Sequence, residues 1–213
     1  MGADRPKQYL PLGSRTLLER SVQALLADAR VLRVVVVIAP GDTVAATLGL
    51  PPQCQILPLG GATRAQTVRN GLRAIAQGAT PGDWVLVHDA ARPCLGAADL
   101  AALIEGAGAD EHGGLLALPV SDTVKREHAG RVARTEERAG LWRAQTPQFF
   151  PVAALLRALE SCAENEATTD EAAAMEGLGL QPRLVCGSAE NIKVTNPGDL
   201  FMAQAILQMQ GRW

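Results

Sequence analysis

The run Val34-Val35-Val36-Val37-Ile38 sets β-branched residues side by side without interruption, and no other stretch restricts the fold as strongly. Such side chains are stiff at χ1 and crowd a helix, so the run is read as a strand. It is continuous rather than alternating, the pattern of a strand covered on both faces, which favours a parallel sheet packed between helices. Ahead of it Leu17, Leu18, Val22, Leu25 and Leu26 recur at helical spacing, and Pro40-Gly41-Asp42 behind it marks a turn. Further apolar runs follow at 56–59, 84–87, 115–120 and 183–185, each adjoining helix-like or turn-like sequence. Residues 63–76 read as a helix with Thr63 as N-cap and Ala65, Val68, Leu72 and Ile75 on one face, and 97–107, 151–163, 170–178 and 198–209 as weaker helices. This alternation predicts a doubly wound α/β fold with a mostly parallel sheet, whose ligand crevice lies beyond the carboxyl ends of the strands.

A chain of 213 residues suffices for one such domain spanning 1–213, and 47% apolar with 20% charged residues excludes wholesale disorder. Twenty Lys plus Arg against 22 Asp plus Glu leave a net charge of -2, so there is no bulk positive field for a nucleic-acid backbone. Cys54, Cys94, Cys162 and Cys186 match neither a CxxC pair nor a zinc-site spacing and read as reduced thiols. The polar N-terminus and the lack of any apolar run near the roughly 18 residues of a membrane span predict a cytoplasmic protein without membrane contact.

Residues 121–138 break the rhythm. They are charged, with Ala129-Gly130 midway as a turn signal, and predict an exposed β-hairpin arm. An excursion this polar has little apolar surface to bury, so it reads as a mobile loop or as a limb that packs on a partner subunit.

Four polar clusters fall at strand ends or loop positions. In Pro6-Lys7-Gln8 a lysine on a restrained backbone is either an anion ligand or an ordinary solvated side chain. Gly60-Gly61-Ala62-Thr63-Arg64 is either a plain tight turn or a place where a ligand approaches the backbone and meets free N–H groups at a helix start. In His88-Asp89-Ala90-Ala91-Arg92-Pro93 the aspartate follows a buried strand, where it would ligate Mg²⁺ or else pair with Arg92 or cap the next turn; His88 reads as structural. Asn191-Ile192-Lys193-Val194-Thr195 reads as a strand whose lysine needs an anionic partner or a route to solvent. Two lysines, a glycine turn and one crevice aspartate together describe a site for polyphosphate and Mg²⁺. Neither HExxH nor GxxxxGK[ST] occurs.

These clusters, with Thr67-Val68, Thr146-Pro147-Gln148 and Thr169-Asp170-Glu171-Ala172 in the same order, resemble the bacterial 2-C-methyl-D-erythritol 4-phosphate cytidylyltransferases of the non-mevalonate isoprenoid pathway. The resemblance runs from Gly2 almost to the C-terminus. It implies a Rossmann-like nucleotidyltransferase fold, a homodimer, and an enzyme that joins CTP to methylerythritol phosphate with Mg²⁺ and releases pyrophosphate. By resemblance Lys7 and Lys193 hold the triphosphate and the charge developing at the α-phosphorus, and Asp89 is the carboxylate for Mg²⁺ and substrate. Gly60, Gly61 and Thr67 take the nucleotide, while Arg92 and Thr169 take the alcohol phosphate. Thr123 and Arg138, on the arm, reach the alcohol phosphate of the other subunit.

The chemistry agrees. A phosphate monoester has a second pKa near 6, so at neutral pH it is mostly a dianionic nucleophile that needs no general base. Family members carry a strand and an Ala-Ala-Gly-x-Gly-x-Arg loop ahead of the Pro-Lys-Gln motif; here Met1-Gly2 follows directly after the place of that loop, and the resemblance leads to the expectation of a shortened form with weak or absent activity. Two alternatives stand beside this reading: a cytidylyltransferase for ribitol 5-phosphate, and a non-catalytic nucleotide-binding protein.

Overall fold

Thr16 starts the first helix because its hydroxyl accepts from the Glu19 N–H while the Glu19 carboxylate accepts from the Thr16 N–H, a reciprocal capping box. That helix, α1 (Leu17–Leu25), follows a tight hairpin of β1 (Pro11–Leu12) and β2 (Arg15–Thr16). The computed structural model describes residues 6–162 and 169–213. Beyond α1 come β3 (Val34–Val37), β4 (Cys54–Leu57), α2 (Arg64–Ala76), β5 (Trp84–Val87), α3 (Ala97–Ala107) and β6 (Gly114–Pro119). The hairpin β7 (Val124–His128) and β8 (Arg131–Glu136) leads to β9 (Trp142–Pro151), α4 (Val152–Ser161), α5 (Glu171–Gly177), β10 (Arg183–Cys186) and α6 (Pro197–Met209).

Most of these elements lie where the hydrophobic pattern puts them. β4 starts and stops two residues earlier than its apolar run, because Pro58 has no N–H for a ladder. The helix expected over 151–163 ends its described part at Ser161, and residue 163 lies outside the described residues. β9 has no counterpart in the apolar pattern: Gln145, Thr146, Pro147 and Gln148 interrupt it. Pro147 is tolerated because the ladder with β6 is irregular there, the register shifting between Leu115 and Ala117.

Four strands form one sheet in the order β10-β6-β9-β5. β10 runs parallel to β6, and β9 is antiparallel to both β6 and β5, so the other three strands share one direction and β9 reverses it. β3 and β4 form a separate parallel pair. Both faces of the main sheet are covered, as neighbouring residues of β9 show. Phe149 packs with Leu18, Val22, Leu100 and Leu103 of α1 and α3, whereas Phe150 packs with Leu72, Leu155 and Met175 of α2, α4 and α5. Truncating either ring to alanine would cost about 3–5 kcal/mol.

β3 departs from the expectation of cover on both faces: its residues alternate between buried and half-buried. The cause is a cavity of about 990 Å³ between β3 and β5, bordered by Val34–Ile38 on one side and by Trp84–Asp89 on the other. Leu18, Val22 and Leu25 of α1 and Val68, Leu72 and Ile75 of α2 line it too. α2 lies so close to β3 that a Cβ on Gly71 would come within 2.5 Å of the Val37 side chain.

The arm is a two-stranded antiparallel hairpin whose residues are almost all exposed. Ala129 and Gly130 turn it with φ of 50° and 76°, the left-handed conformation that Gly adopts at no cost. Among the described residues no helix is long and apolar enough to cross a membrane.

Candidate active site

β5 ends at Val87, and the next two residues, His88 and Asp89, stand at the mouth of the cavity. Three cations meet the Asp89 carboxylate: Lys193 Nζ at 2.8 Å from Oδ2, Arg64 Nε at 3.1 Å from Oδ1, and Arg92 Nε at 3.8 Å from Oδ2. Burial opposes ionisation of Asp89, but the Lys193 hydrogen bond and the charges of Arg64, Lys193 and Arg92 outweigh it and hold its pKa below the usual range. Of the readings made for Asp89, the pair with Arg92 is present at 3.8 Å, and the Arg92 N–H closes a backbone turn onto the Asp89 carbonyl at 3.0 Å. Lys193 has both things a lysine among apolar neighbours needs, an anionic partner and a 42% exposed side chain. The segment 191–195 is loop rather than the strand expected. Its ladder is reduced to Val194 N–H donating to Ala91 O at 2.8 Å.

Arg64, the first residue of α2, links Asp89 to a second carboxylate. Its Nη1 and Nη2 donate to Glu171 Oε1 and Oε2 at 2.7 and 3.0 Å, a two-pronged pair at the start of α5. The Glu171 side chain is 1% exposed. Burial raises its pKa and prevails over the opposing pull of Arg64, while Arg64 itself is pushed up by Glu171 and Asp89 against the effect of burial.

Lys7 sits in a single 3₁₀ turn, Lys7–Tyr9, held by Tyr9 N–H to Pro6 O and Leu10 N–H to Lys7 O, each 3.0 Å. Tyr9 is fully buried and donates its hydroxyl to Asp42 Oδ2 at 2.6 Å, which fixes the turn against the loop after β3. Lys7 Nζ lies 3.5 Å from Val194 O, so the two lysines read from sequence come from opposite ends of the chain to neighbouring places. Lys7, Arg64, Thr67, Asp89 and Lys193 all border the cavity.

At Gly60-Gly61 the backbone donors are already engaged. Gly60 N–H reaches Ile38 O at 2.8 Å, Gly61 N–H reaches Thr67 Oγ1 at 3.0 Å, and Ala62 N–H reaches Gln66 Oε1 at 2.9 Å. These N–H groups serve the turn, in line with the tight-turn reading of this segment. Glycine is required sterically: a Cβ would lie 2.8 Å from Ile38 O at position 60 and 2.5 Å from Gln66 Cβ at position 61. Thr63 caps α2 as expected, accepting from Gln66 N–H at 3.1 Å.

Thr169 immediately precedes Asp170, the N-cap of α5, and so lies near Glu171. Thr123 and Arg138 flank the arm, where Arg138 donates to the Ser121 carbonyl; neither borders the cavity. Sequence reading left Arg64, Glu171 and Thr146 without individual roles, although each lay inside a motif. His88 is neutral: burial, the largest influence, brings its pKa down to about 4.

Among the described residues no group of three or more His, Cys, Asp or Glu could hold a metal on its own. Asp89 nonetheless fits a hard divalent cation that arrives with phosphate oxygens, since Mg²⁺ takes one or two protein carboxylates in such sites. The arrangement can bind a polyphosphate on cations while keeping one ionised carboxylate among them.

A sequence model described as 2-C-methyl-D-erythritol 4-phosphate cytidylyltransferase matches residues 1–209. The chain is 54% identical over 210 residues to the protein of that name from Laribacter hongkongensis (strain HLHK9), covering 97% of this chain and 90% of the relative. It is 50% identical over 211 residues to the one from Dechloromonas aromatica (strain RCB), covering 97% and 91%. Among solved structures, a 4-diphosphocytidyl-2C-methyl-D-erythritol synthase superposes with a TM-score of 0.88 at 44% identity over 95% of each chain. The 2-C-methyl-D-erythritol 4-phosphate cytidylyltransferase of Francisella tularensis superposes with a TM-score of 0.84 at 32% identity, over 96% of this chain and 94% of that one. With motif order, fold and near full-length similarity in agreement, the chain belongs to the 2-C-methyl-D-erythritol 4-phosphate cytidylyltransferase family.

Proposed function

We propose that this protein transfers the cytidylyl group of CTP to 2-C-methyl-D-erythritol 4-phosphate, giving the cytidine diphospho-alcohol and pyrophosphate. The observation that carries the reading is the Asp89 cluster at the cavity mouth, where Lys193, Arg64 and Arg92 converge on one ionised carboxylate beside Lys7. An oxygen of the alcohol phosphate forms a bond to the α-phosphorus of CTP, the bond from that phosphorus to the bridging oxygen breaks, and pyrophosphate leaves with the electron pair. The attacking dianion carries no proton that must be removed, so the protein's task is charge neutralisation and in-line alignment.

In this reading Lys7 and Lys193 hold the triphosphate and the charge developing at the α-phosphorus. Gly60, Gly61 and Thr67 shape the nucleotide site, and Arg92 and Thr169 serve the alcohol phosphate. Asp89 would hold Mg²⁺, which supplies further neutralisation of the phosphate oxygens when bound. Thr123 and Arg138 on the exposed arm complete the alcohol-phosphate site of a second subunit in a homodimer, which gives a polar limb without a core something to pack on.

The domain spans the chain as one unit, and the cavity between β3 and β5 borders the Asp89 cluster. Purified protein incubated with CTP, Mg²⁺ and either alcohol phosphate, with pyrophosphate as the readout, tests the activity. Release that depends on methylerythritol phosphate is the expected result. Turnover with ribitol 5-phosphate alone, or cytidine nucleotide binding without pyrophosphate release, would overturn it.

A further inference from the structure

His88 lies between two groups that fix its protonation pattern. Its Nε2 is 3.1 Å from the Arg92 carbonyl oxygen, and its Nδ1 is 3.0 Å from Thr146 Oγ1. A carbonyl only accepts, so Nε2 carries the ring proton and donates it. Nδ1 is left with a lone pair, and the Thr146 hydroxyl spends its single proton there. The Thr146 oxygen then accepts from the backbone N–H of Asp89, 3.0 Å away. Each member of this chain has one possible role.

The chain closes into a ring through Asn191. Its Nδ2 donates to Thr146 O at 2.9 Å, while Arg92 Nη1 donates to Asn191 O at 2.6 Å. Asn191 is fully buried and Thr146 nearly so. The ring thus joins three separate pieces of chain: the loop after β5 that carries Asp89, strand β9, and the segment that carries Lys193 two residues beyond Asn191. The 2.8 Å Lys193–Asp89 pair spans two of those pieces.

We infer that Thr146 is a positioning residue, its hydroxyl aimed by His88 so as to hold the Asp89 backbone in register with Lys193. The inference rests on the reading of Asp89 and Lys193 as the reacting cluster. It also accounts for a polar threonine buried in the middle of β9.

The test compares Thr146→Val, which keeps the shape and loses the hydroxyl, with Thr146→Ser, which keeps the hydroxyl. Cytidylyl transfer by the valine variant should show kcat reduced by about tenfold or more with KM for CTP within about twofold, and serine should restore most of kcat. Equal kcat in wild type and Thr146→Val, or equal loss in both variants, overturns the inference. The chain has three histidines, so ring ¹⁵N spectra, assigned with His112→Gln and His128→Gln, report His88 directly. Wild type and Thr146→Ser should show the Nε2–H tautomer with Nδ1 accepting a hydrogen bond, and Thr146→Val should lose the latter signature. A Nδ1–H tautomer in the wild type overturns the ring even if the enzyme is active. Intact ring spectra in a protein that transfers no cytidylyl group would instead sink the functional reading and leave the ring standing.

Discussion

Replacing Arg64 by methionine would take both hydrogen-bond donors from a carboxylate that is almost wholly enclosed. Glu171 has a 1% exposed side chain and both of its oxygens are held by Arg64 at 2.7 and 3.0 Å. Breaking a buried pair from one side costs about 3–5 kcal/mol, because the other charge is left uncompensated. The Arg64 side chain is 38% exposed, so water enters part of the vacated space, and the lower end, about 3 kcal/mol, is the expected loss. For a domain of this size that lowers Tm by about 6–12 °C. The loss also depends on pH. Glu171 already has a raised pKa in the folded state, and without the opposing pull of Arg64 it rises further. A folded group that holds its proton more tightly than the unfolded chain favours folding below the unfolded pKa, near 4.5, and that advantage fades as pH rises through the folded value. The deficit of Arg64→Met relative to wild type should therefore be larger at pH 8 than at pH 5. The double variant Arg64→Met/Glu171→Gln leaves no stranded charge at position 171, and Asp89 keeps Lys193 at 2.8 Å, so it should recover much of the stability and lose most of the pH dependence. Urea unfolding of wild type, Arg64→Met, Glu171→Gln and the double variant at both pH values measures this. A deficit under about 1 kcal/mol that does not change with pH, or a double variant as unstable as the sum of the singles, would refute the argument.

Lys7→Ala and Lys193→Ala should each lower the rate about a hundredfold, on the order of 3 kcal/mol for one well-aimed donor, and near-normal turnover of either purified variant removes that lysine from the mechanism. Tyr9 is the only tyrosine, so tyrosinate absorbance reports it alone. Burial and then Asp42 push its pKa up to about 12, so its absorbance should rise near pH 12 or with alkaline unfolding, and an ordinary titration near 10 with intact circular dichroism would contradict the buried Tyr9–Asp42 contact. The raised value also means that Tyr9 favours folding below pH 10 and that this contribution disappears as pH rises from 10 through about 12. Burial likewise lifts the Cys94 thiol to about 12, while Cys186 is exposed. Iodoacetamide at pH 8 should therefore label Cys186 and spare Cys94 in the native protein, and equal labelling would show that the cluster of Leu12, Leu17 and Leu207 around Cys94 opens.

Local chemistry explains why some elements were legible in the sequence and others were not. β3 and β5 announce themselves through β-branched and apolar runs, and the Thr63 cap of α2 needs only its own neighbours. β9 does not, because its buried polar residues find their partners far along the chain. Gln145 donates to Ser188 O at 3.0 Å, and Gln148 donates to Asp170 at 2.9 Å while accepting from Ala172 N–H at 2.7 Å. Most buried polar groups are paired, as these are apart from Gln145 Oε1, and no pattern within β9 shows where the partners come from.

By itself the sequence determined the helices and the apolar strands, though not β9 or the loop at 191–195, and which cations and carboxylates lie near strand ends, since backbone preference and hydrophobic period act over a few residues. Only the tertiary structure decided which charges meet. Arg64 and Glu171 are 107 positions apart and Lys7 and Val194 are 187 apart, contacts that exist because α2 and α5 close over one face of the sheet and the two chain ends meet at its rim. The cavity between β3 and β5 is of the same kind: each strand edge is a local property, and their facing one another is a property of the whole fold.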